Sequence, residues 1–197
     1  MNKTSGATLA AWDLLRAGDI KRWHIVSTAR EQTLADHSYM VTVIALVLNN
    51  TLNNGTTTPG YMLSLIAGAL FHDATETLTG DIPTPSKALI EKHAPGVLEA
   101  IDRELMPDTP FIGGAVSGET ARLIKMADTI EAAHWIRENG TGKLAGRIAA
   151  MCYQKVEVLT ARYIEETGNE KWREAVDSAL MALSVRPLNR DSRLFSP

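Results

Sequence analysis

The chain has 197 residues, 45% of them hydrophobic, with a formal net charge of −3 and a pI near 6.0. That is enough apolar material to fill the core of one domain spanning residues 1–197, and the slight acidity excludes bulk attraction to nucleic acid or an anionic membrane while allowing a local basic pocket for small anions. Cys152 is the single cysteine, which excludes an intramolecular disulfide and any multi-cysteine metal site.

Met1 to Gly6 holds no apolar signal core, and no apolar run reaches about 18 residues, so a soluble, non-exported protein of a reducing compartment is expected. The first well-marked element is a helix capped by Thr33 and running through Asn49, in which Leu34, Val41, Ile44, Ala45 and Leu48 recur at helical spacing. His37 lies one turn into it. Asn49 to Gly55 reads as a polar loop, and Thr58-Pro59 supplies a cap and a first-turn proline for a second helix toward Phe71.

His72-Asp73 falls near the end of that helix, and Glu76 shares a face with His72 if the helix continues. Thr79-Gly80-Asp81-Ile82-Pro83-Thr84-Pro85 breaks the pattern into a stiff loop that can hold Asp81 and Lys87 near the same place. Helical spacing resumes over 86–106, interrupted by Pro95-Gly96, and 107–116 is a Pro/Gly-rich connection. Ser117 is expected to cap a helix closed by a left-handed stop at Asn139-Gly140, with Asp128 in its middle. Helices over about 143–167, with Cys152 buried, and about 170–184 complete the chain before an irregular tail, 186–197. No β alternation or repeat is visible, so the fold is expected to be all-α, a bundle of roughly six or seven helices.

His37, His72, Asp73 and Asp128 come from three helices, as they must if they are to surround one divalent cation. Each has an ordinary alternative: a helix-start histidine, a capping pair, an aspartate paired with Lys125 or Arg122. Asp128 is the informative one. It shares an apolar stripe with Ile124 and Trp135, and an unpaired carboxylate there costs several kcal/mol, as an order of magnitude, unless a cation compensates it.

The order His37, His72-Asp73, Asp128 resembles the HD-domain metal-dependent phosphohydrolases. Arg22-Trp23, Asp36-His37-Ser38, Phe71-His72-Asp73-Ala74-Thr75-Glu76 and Thr79 to Pro85 are similar to the YfbR-like 5'-deoxynucleotidase branch, over about residues 12–165, and Trp23 with Ile25 is shared with the related phage dATP triphosphohydrolases. Asp36 stands where that branch usually has Glu, and Thr75 where it has Ser. Both swaps keep the functional group. The resemblance implies an HD-type bundle, one divalent transition metal ion (cobalt, manganese or zinc), a deoxynucleotide substrate, a homo-oligomer (dimer or larger), and a cytoplasmic setting in a bacterium or phage-infected cell.

Phosphate ester hydrolysis needs a nucleophilic water and charge neutralisation, and a metal supplies both by lowering the pKa of bound water from 15.7 toward roughly 7. Glu76 is a candidate to orient that water or shuttle its proton. Asp81 is a candidate for proton transfer or for holding the sugar hydroxyl, with a loop cap as the alternative. Lys125, on the same side of its helix as Asp128, is a candidate phosphate contact, as are Lys87 and Arg22, with a solvated lysine the alternative for Lys87. Trp23 reads as a flat wall for sugar or base, or as core packing. By resemblance Trp23 crowds the 2' position, Ile25 lies near the base edge, and Ser38 joins the substrate contacts. His24, His93 and His134 read as surface or packing residues, and Trp12 and Trp172 as packing.

The leading reading is therefore release of phosphate from deoxynucleoside 5'-monophosphates. Cleavage of dATP or another dNTP to the deoxynucleoside and triphosphate is the alternative, since the same centre serves both. A non-catalytic helical regulatory module is a remote third, and it would be expected to lose a ligand or Glu76, which this chain keeps. Nucleic-acid phosphodiesterase activity is disfavoured by the lack of a basic stripe with interleaved aromatics.

Overall fold

The computed structural model describes residues 9–106, 116 and 118–184. Among them the regular elements are helical: α1 (Ala11–Leu15) with a 3-10 turn at Arg16–Gly18, α2 (Leu34–Leu52), α3 (Pro59–Phe71), α4 (Glu76–Thr79), α5 (Thr84–His93), α6 (Val97–Leu105), α7 (Gly118–Asn139), α8 (Gly142–Thr167) and α9 (Lys171–Ser184). Seven have nine residues or more and two are shorter, so the all-α expectation holds with a slightly higher helix count. No helix among the described residues is long and apolar enough to cross a membrane.

The core sits where α2 packs on α3, α7 and α9, and α7 on α8. Val41, Leu48, Leu65, Met126, Ile130 and Trp172 fill it. A smaller cluster of Trp135, Ile136, Ala145 and Ala149 closes the junction of α7 and α8, with Trp23 packed against it. Trp172 is buried as expected, but Trp12 is 74% exposed and is not a packing residue. Cys152 is only half-buried on α8.

Local chemistry fixes where the elements begin. Thr33 Oγ1 accepts from Asp36 N (3.1 Å) while Asp36 Oδ2 accepts from Thr33 N (3.0 Å), a reciprocal cap that sets the start of α2 three residues before His37. Such a cap contributes about 1 kcal/mol. Thr58 caps α3 by accepting from Tyr61 N at 3.2 Å, with Pro59 in the first turn.

Several boundaries differ from expectation for physical reasons. α2 runs on through Leu52, so Asn49 to Thr51 are helical; Asn49 is buried and its side chain accepts from Asn53 Nδ2 at 2.8 Å, which removes the polar side chain's preference for a loop. The stiff loop after the His-Asp pair is shorter than expected, because Thr84 and Pro85 belong to the first turn of α5. Gly140 is not in the left-handed region. A Cβ there would meet Ile136 O at 2.5 Å and Ala145 Cβ at 2.6 Å, so glycine is needed for the close approach of α8 to α7 rather than for a stop. The expected connection 107–116 apart from Val116, the Ser117 cap and the tail from 186 lie outside the described residues.

Candidate metal centre

Three segments bring the expected ligands together. His37 projects from the second turn of α2 and is fully buried; His72 and Asp73 follow directly on the end of α3; Asp128 comes from the middle of α7. His37 Nε2 lies 3.3 Å from His72 Nε2, 3.5 Å from Asp73 Oδ2 and 3.5 Å from Asp128 Oδ1, and His72 Nε2 is 3.3 Å from Asp73 Oδ2. Donor atoms about 2 Å from a shared cation at tetrahedral angles stand roughly 3.4 Å apart. His37, His72 and Asp128 each offer a ligand atom within 4.8 Å of the others, a possible metal site by geometry alone.

The ring nitrogens sharpen the point. His37 Nδ1 is 2.6 Å from Glu131 Oε2, and His72 Nδ1 is 2.8 Å from the Ala69 carbonyl, one of the orphan acceptors at the end of α3. Both Nδ1 atoms are thus committed to acceptors, which leaves two Nε2 atoms facing each other beside two carboxylates. Neutral rings in that arrangement oppose lone pair to lone pair. Only a positive charge between them, a proton or a metal ion, makes it favourable.

The side chains alone take the proton. Burial opposes charge on His37, yet its hydrogen bonds with Asp73 and Glu131 raise it to about 9. Asp73 shows the converse: burial pushes it up, but His72, His37 and Arg22 outweigh that and hold it well below the ordinary carboxylate range. Asp128 is likewise lowered against burial, chiefly by Lys125, whose Nζ is 2.7 Å away, and then by the two histidines.

The turn 72–75 explains why Glu76 does not extend the face of His72. Ala74 N, Glu76 N and Thr77 N each bond three residues back, at 3.0, 2.9 and 3.1 Å, so the chain winds tighter than an α-helix before α4 begins. Thr75 Oγ1 anchors this turn to Asp102 of α6 at 2.7 Å. Glu76 is thereby turned toward the loop: Oε1 accepts from Lys87 Nζ at 2.8 Å, and Oε2 lies 3.7 Å from Arg22 Nη1, buried and without a hydrogen-bond partner. Burial, with repulsion from Asp73, raises Glu76 to about 7 against the pull of Lys87.

Arg22 joins the two acidic groups, with Nη1 3.3 Å from Asp73 Oδ2 and 3.6 Å from Asp81 Oδ1. Its Nε is also buried without a partner. Orphaned buried polar atoms on both Arg22 and Glu76 mark a place built to receive further polar groups. A cleft of about 460 Å³ opens beside the cluster, lined by His72, Asp73, Asp128, Lys125, Phe71 and Ile124 among others. Gly68 of α3 forms part of that wall; a Cβ there would come within 2.9 Å of Ile124 Cδ1.

Other expected site residues lie farther out. Trp23 is half-buried, at φ 62°, and stacks on Trp135 with ring centroids 5.7 Å apart. A non-glycine residue in that region costs about 1 kcal/mol. Ile25 is 54% exposed, and Ser38 is buried one position beyond His37, about 100° round the helix from it; neither lines the cleft. His93 is exposed and His134 half-buried, away from the cluster, whereas exposed His24 comes within 3.8 Å of Asp81. Sequence reasoning missed Glu131 and Gln32, both fully buried. The available signal was the i, i+3 spacing of Asp128 and Glu131 on a helix whose other inward positions are mostly apolar.

Comparison with known proteins places the chain in a family. The family model of the YfbR-like 5'-deoxynucleotidases matches residues 13–138, a span that carries His37, His72, Asp73 and Asp128. The chain belongs to that family. A dATP triphosphohydrolase of Salmonella phage PMBT28 is 32% identical over 142 residues, covering 70% of this chain and 71% of the relative. A 5'-deoxynucleotidase of Shewanella oneidensis is 31% identical over 132 residues, 59% of this chain and 67% of the relative. Among solved structures, the Cyanophage S-2L HD phosphohydrolase DatZ, bound to dA and one catalytic Zn2+ ion, superposes with a TM-score of 0.71 over 90% of this chain and 95% of its own, at 24% identity. That likeness shows the fold, an HD-type helical bundle.

Proposed function

We propose that this YfbR-like chain hydrolyses deoxynucleoside 5'-monophosphates to the deoxynucleoside and phosphate, using a divalent transition metal held by His37, His72, Asp73 and Asp128. The observation that carries this reading is the pair of opposed Nε2 atoms, 3.3 Å apart, whose rings are locked from behind. A divalent cation bound there, cobalt, manganese or zinc, supplies an activated water at neutral pH and neutralises charge on the phosphoryl oxygens.

The remaining steps fall to the protein. Glu76, near neutrality and with one oxygen lacking a hydrogen-bond partner, takes the proton from the attacking water. Asp81, held near Arg22, relays the proton taken by Glu76 toward the leaving O5' or accepts from the sugar hydroxyl. Lys125 on the cleft wall, with Arg22 and Lys87, counters the phosphate charge. Trp23 and Ile25 bound the sugar and base, with Ser38 as a supporting contact. Exposed Leu144, Met151 and Val158, seven residues apart on α8, support a homo-oligomer, which light scattering tests.

A second reading, cleavage of dATP or another dNTP to deoxynucleoside and triphosphate, is favoured by the phage relative at 32% identity. Product analysis separates the two. Incubation with each deoxynucleoside mono- and triphosphate, with cobalt, manganese or zinc, is expected to give orthophosphate from monophosphates. Triphosphate release from dNTP with inert monophosphates would select the second reading, and no metal-dependent product from any of them would reject both. Ribonucleotide controls test the role given to Trp23.

A further inference from the structure

Behind the cluster, an unbroken chain of hydrogen bonds runs from His37 to the indole of Trp23. His37 Nδ1–H donates to Glu131 Oε2 at 2.6 Å, Gln32 Nε2–H donates to Glu131 Oε1 at 2.6 Å, and Trp23 Nε1–H donates to Gln32 Oε1 at 2.7 Å. The direction is forced. An indole nitrogen can only donate, so Gln32 must give it the amide oxygen and turn its NH2 toward Glu131, whose carboxylate accepts from both sides. Gln32 is 1% and Glu131 0% exposed, so water cannot replace either bond.

Both ends of this chain are held. Trp23 sits in the left-handed region and is stacked on Trp135 at an interplanar angle of 7°. The segment carrying Trp23 and Gln32 is closed by Arg22 N donating to Gln32 O at 2.9 Å and by the Lys21–Thr33 bridge, immediately before the cap of α2. At the other end, an acceptor on Nδ1 is what keeps the His37 Nε2 lone pair turned into the cluster.

We propose that Gln32 and Glu131 are positioning residues, a buried relay that couples the placement of Trp23 to the affinity of the His37 cluster for a divalent cation. The proposal rests on the metal-centre reading given above. Removing the indole N–H leaves Gln32 Oε1 buried without a donor, so the Gln32 side chain is no longer held in line and its NH2 grips Glu131 Oε1 less firmly. A Glu131 carboxylate held less firmly fixes the His37 ring less well and lets it carry its hydrogen on Nε2, where a metal ion must bind.

The test is Zn2+ affinity of the chelator-stripped full chain, measured by competition with a chromophoric chelator, with a thermal melt of each variant. Glu131→Gln is expected to weaken Zn2+ binding about 10- to 100-fold, and Trp23→Phe or Gln32→Leu roughly tenfold. Trp23→Phe and Glu131→Gln together should weaken it by less than the product of the two, because both act through one path. Trp172→Phe, in the separate core, should lower the melting temperature and leave Zn2+ affinity at the wild-type value. Trp23 is half-buried, so Trp23→Phe keeps the test decidable if Glu131→Gln does not fold. Wild-type affinity in Trp23→Phe, or full multiplicative effects in the double variant, overturns the relay; so does a lower melting temperature with unchanged affinity. A wild-type chain that binds no more Zn2+ than His37→Ala overturns the metal centre itself, and the relay with it.

Discussion

Along α7, Met126, Ala127 and Ile130 turn into an apolar core shared with α2, α8 and α9, while Asp128 and Glu131 of the same helix meet His37 and His72 in a polar wedge between α2 and α3. The first face is held by area. Trp172 is buried against Tyr163 with ring centroids 5.0 Å apart, and any side chain of similar size and polarity would serve there. The second face is held by direction. Its groups are costly to bury singly and are stable only as a set with their donors, acceptors and a positive charge in place. Stability and chemistry are thus separated by about a third of a helical turn.

That separation can be broken on either side. The largest expected effect is loss of metal-dependent hydrolysis in His72→Ala or Asp128→Ala, to the level of chelator-treated protein, with helical circular dichroism retained. Full activity in either variant would contradict the ligand assignment. On the apolar side, Trp172→Ala should cost about 3–5 kcal/mol of stability in denaturant unfolding while the surviving folded protein keeps its Zn2+ affinity. Glu76→Ala should slow turnover about 100-fold with metal still bound, read as kcat against a Zn2+ titration.

The smallest effect sharpens the comparison through pH. With His37 raised to about 9, each bound cation displaces a proton below that pH, so apparent metal affinity should rise by up to about tenfold per pH unit and level off as His37 loses its proton unaided. The sign for the metal-free chain is opposite. The stabilisation from protonated His37 is fully present below its ordinary value of 6.5 and is lost as pH rises through about 9. A melting temperature of stripped protein that climbs across that window would contradict the arrangement of acceptors around His37.

Much of this was legible in the residues. Thr33 as a cap announces where α2 begins, and with it the height of His37; Thr58-Pro59 does the same for α3. Asp128 stood out because a carboxylate on an apolar stripe needs a partner. Other features depend on contacts that no local pattern encodes. Asn49 is helical because Asn53 and the packed core outweigh its loop preference. Gly140 is set by a neighbouring helix rather than by its own φ. Glu76 leaves the face of His72 because the tight turns closed at Ala74, Glu76 and Thr77 rewind the chain, which a four-residue spacing cannot reveal. Gln32 lies in an irregular segment where periodicity is silent, so its bond to Glu131, 99 residues away, emerges only once the chain is folded.

Hydrolysis by this chain is proposed to depend on one cation held by His37, His72, Asp73 and Asp128. Back-titration of chelator-stripped protein with cobalt, following orthophosphate released from a deoxynucleoside monophosphate, tests it most directly. No release is expected before cobalt is added, and then a rise that saturates at one ion per chain. Undiminished release in excess chelator, or a rise equally large in Asp128→Ala, would contradict it.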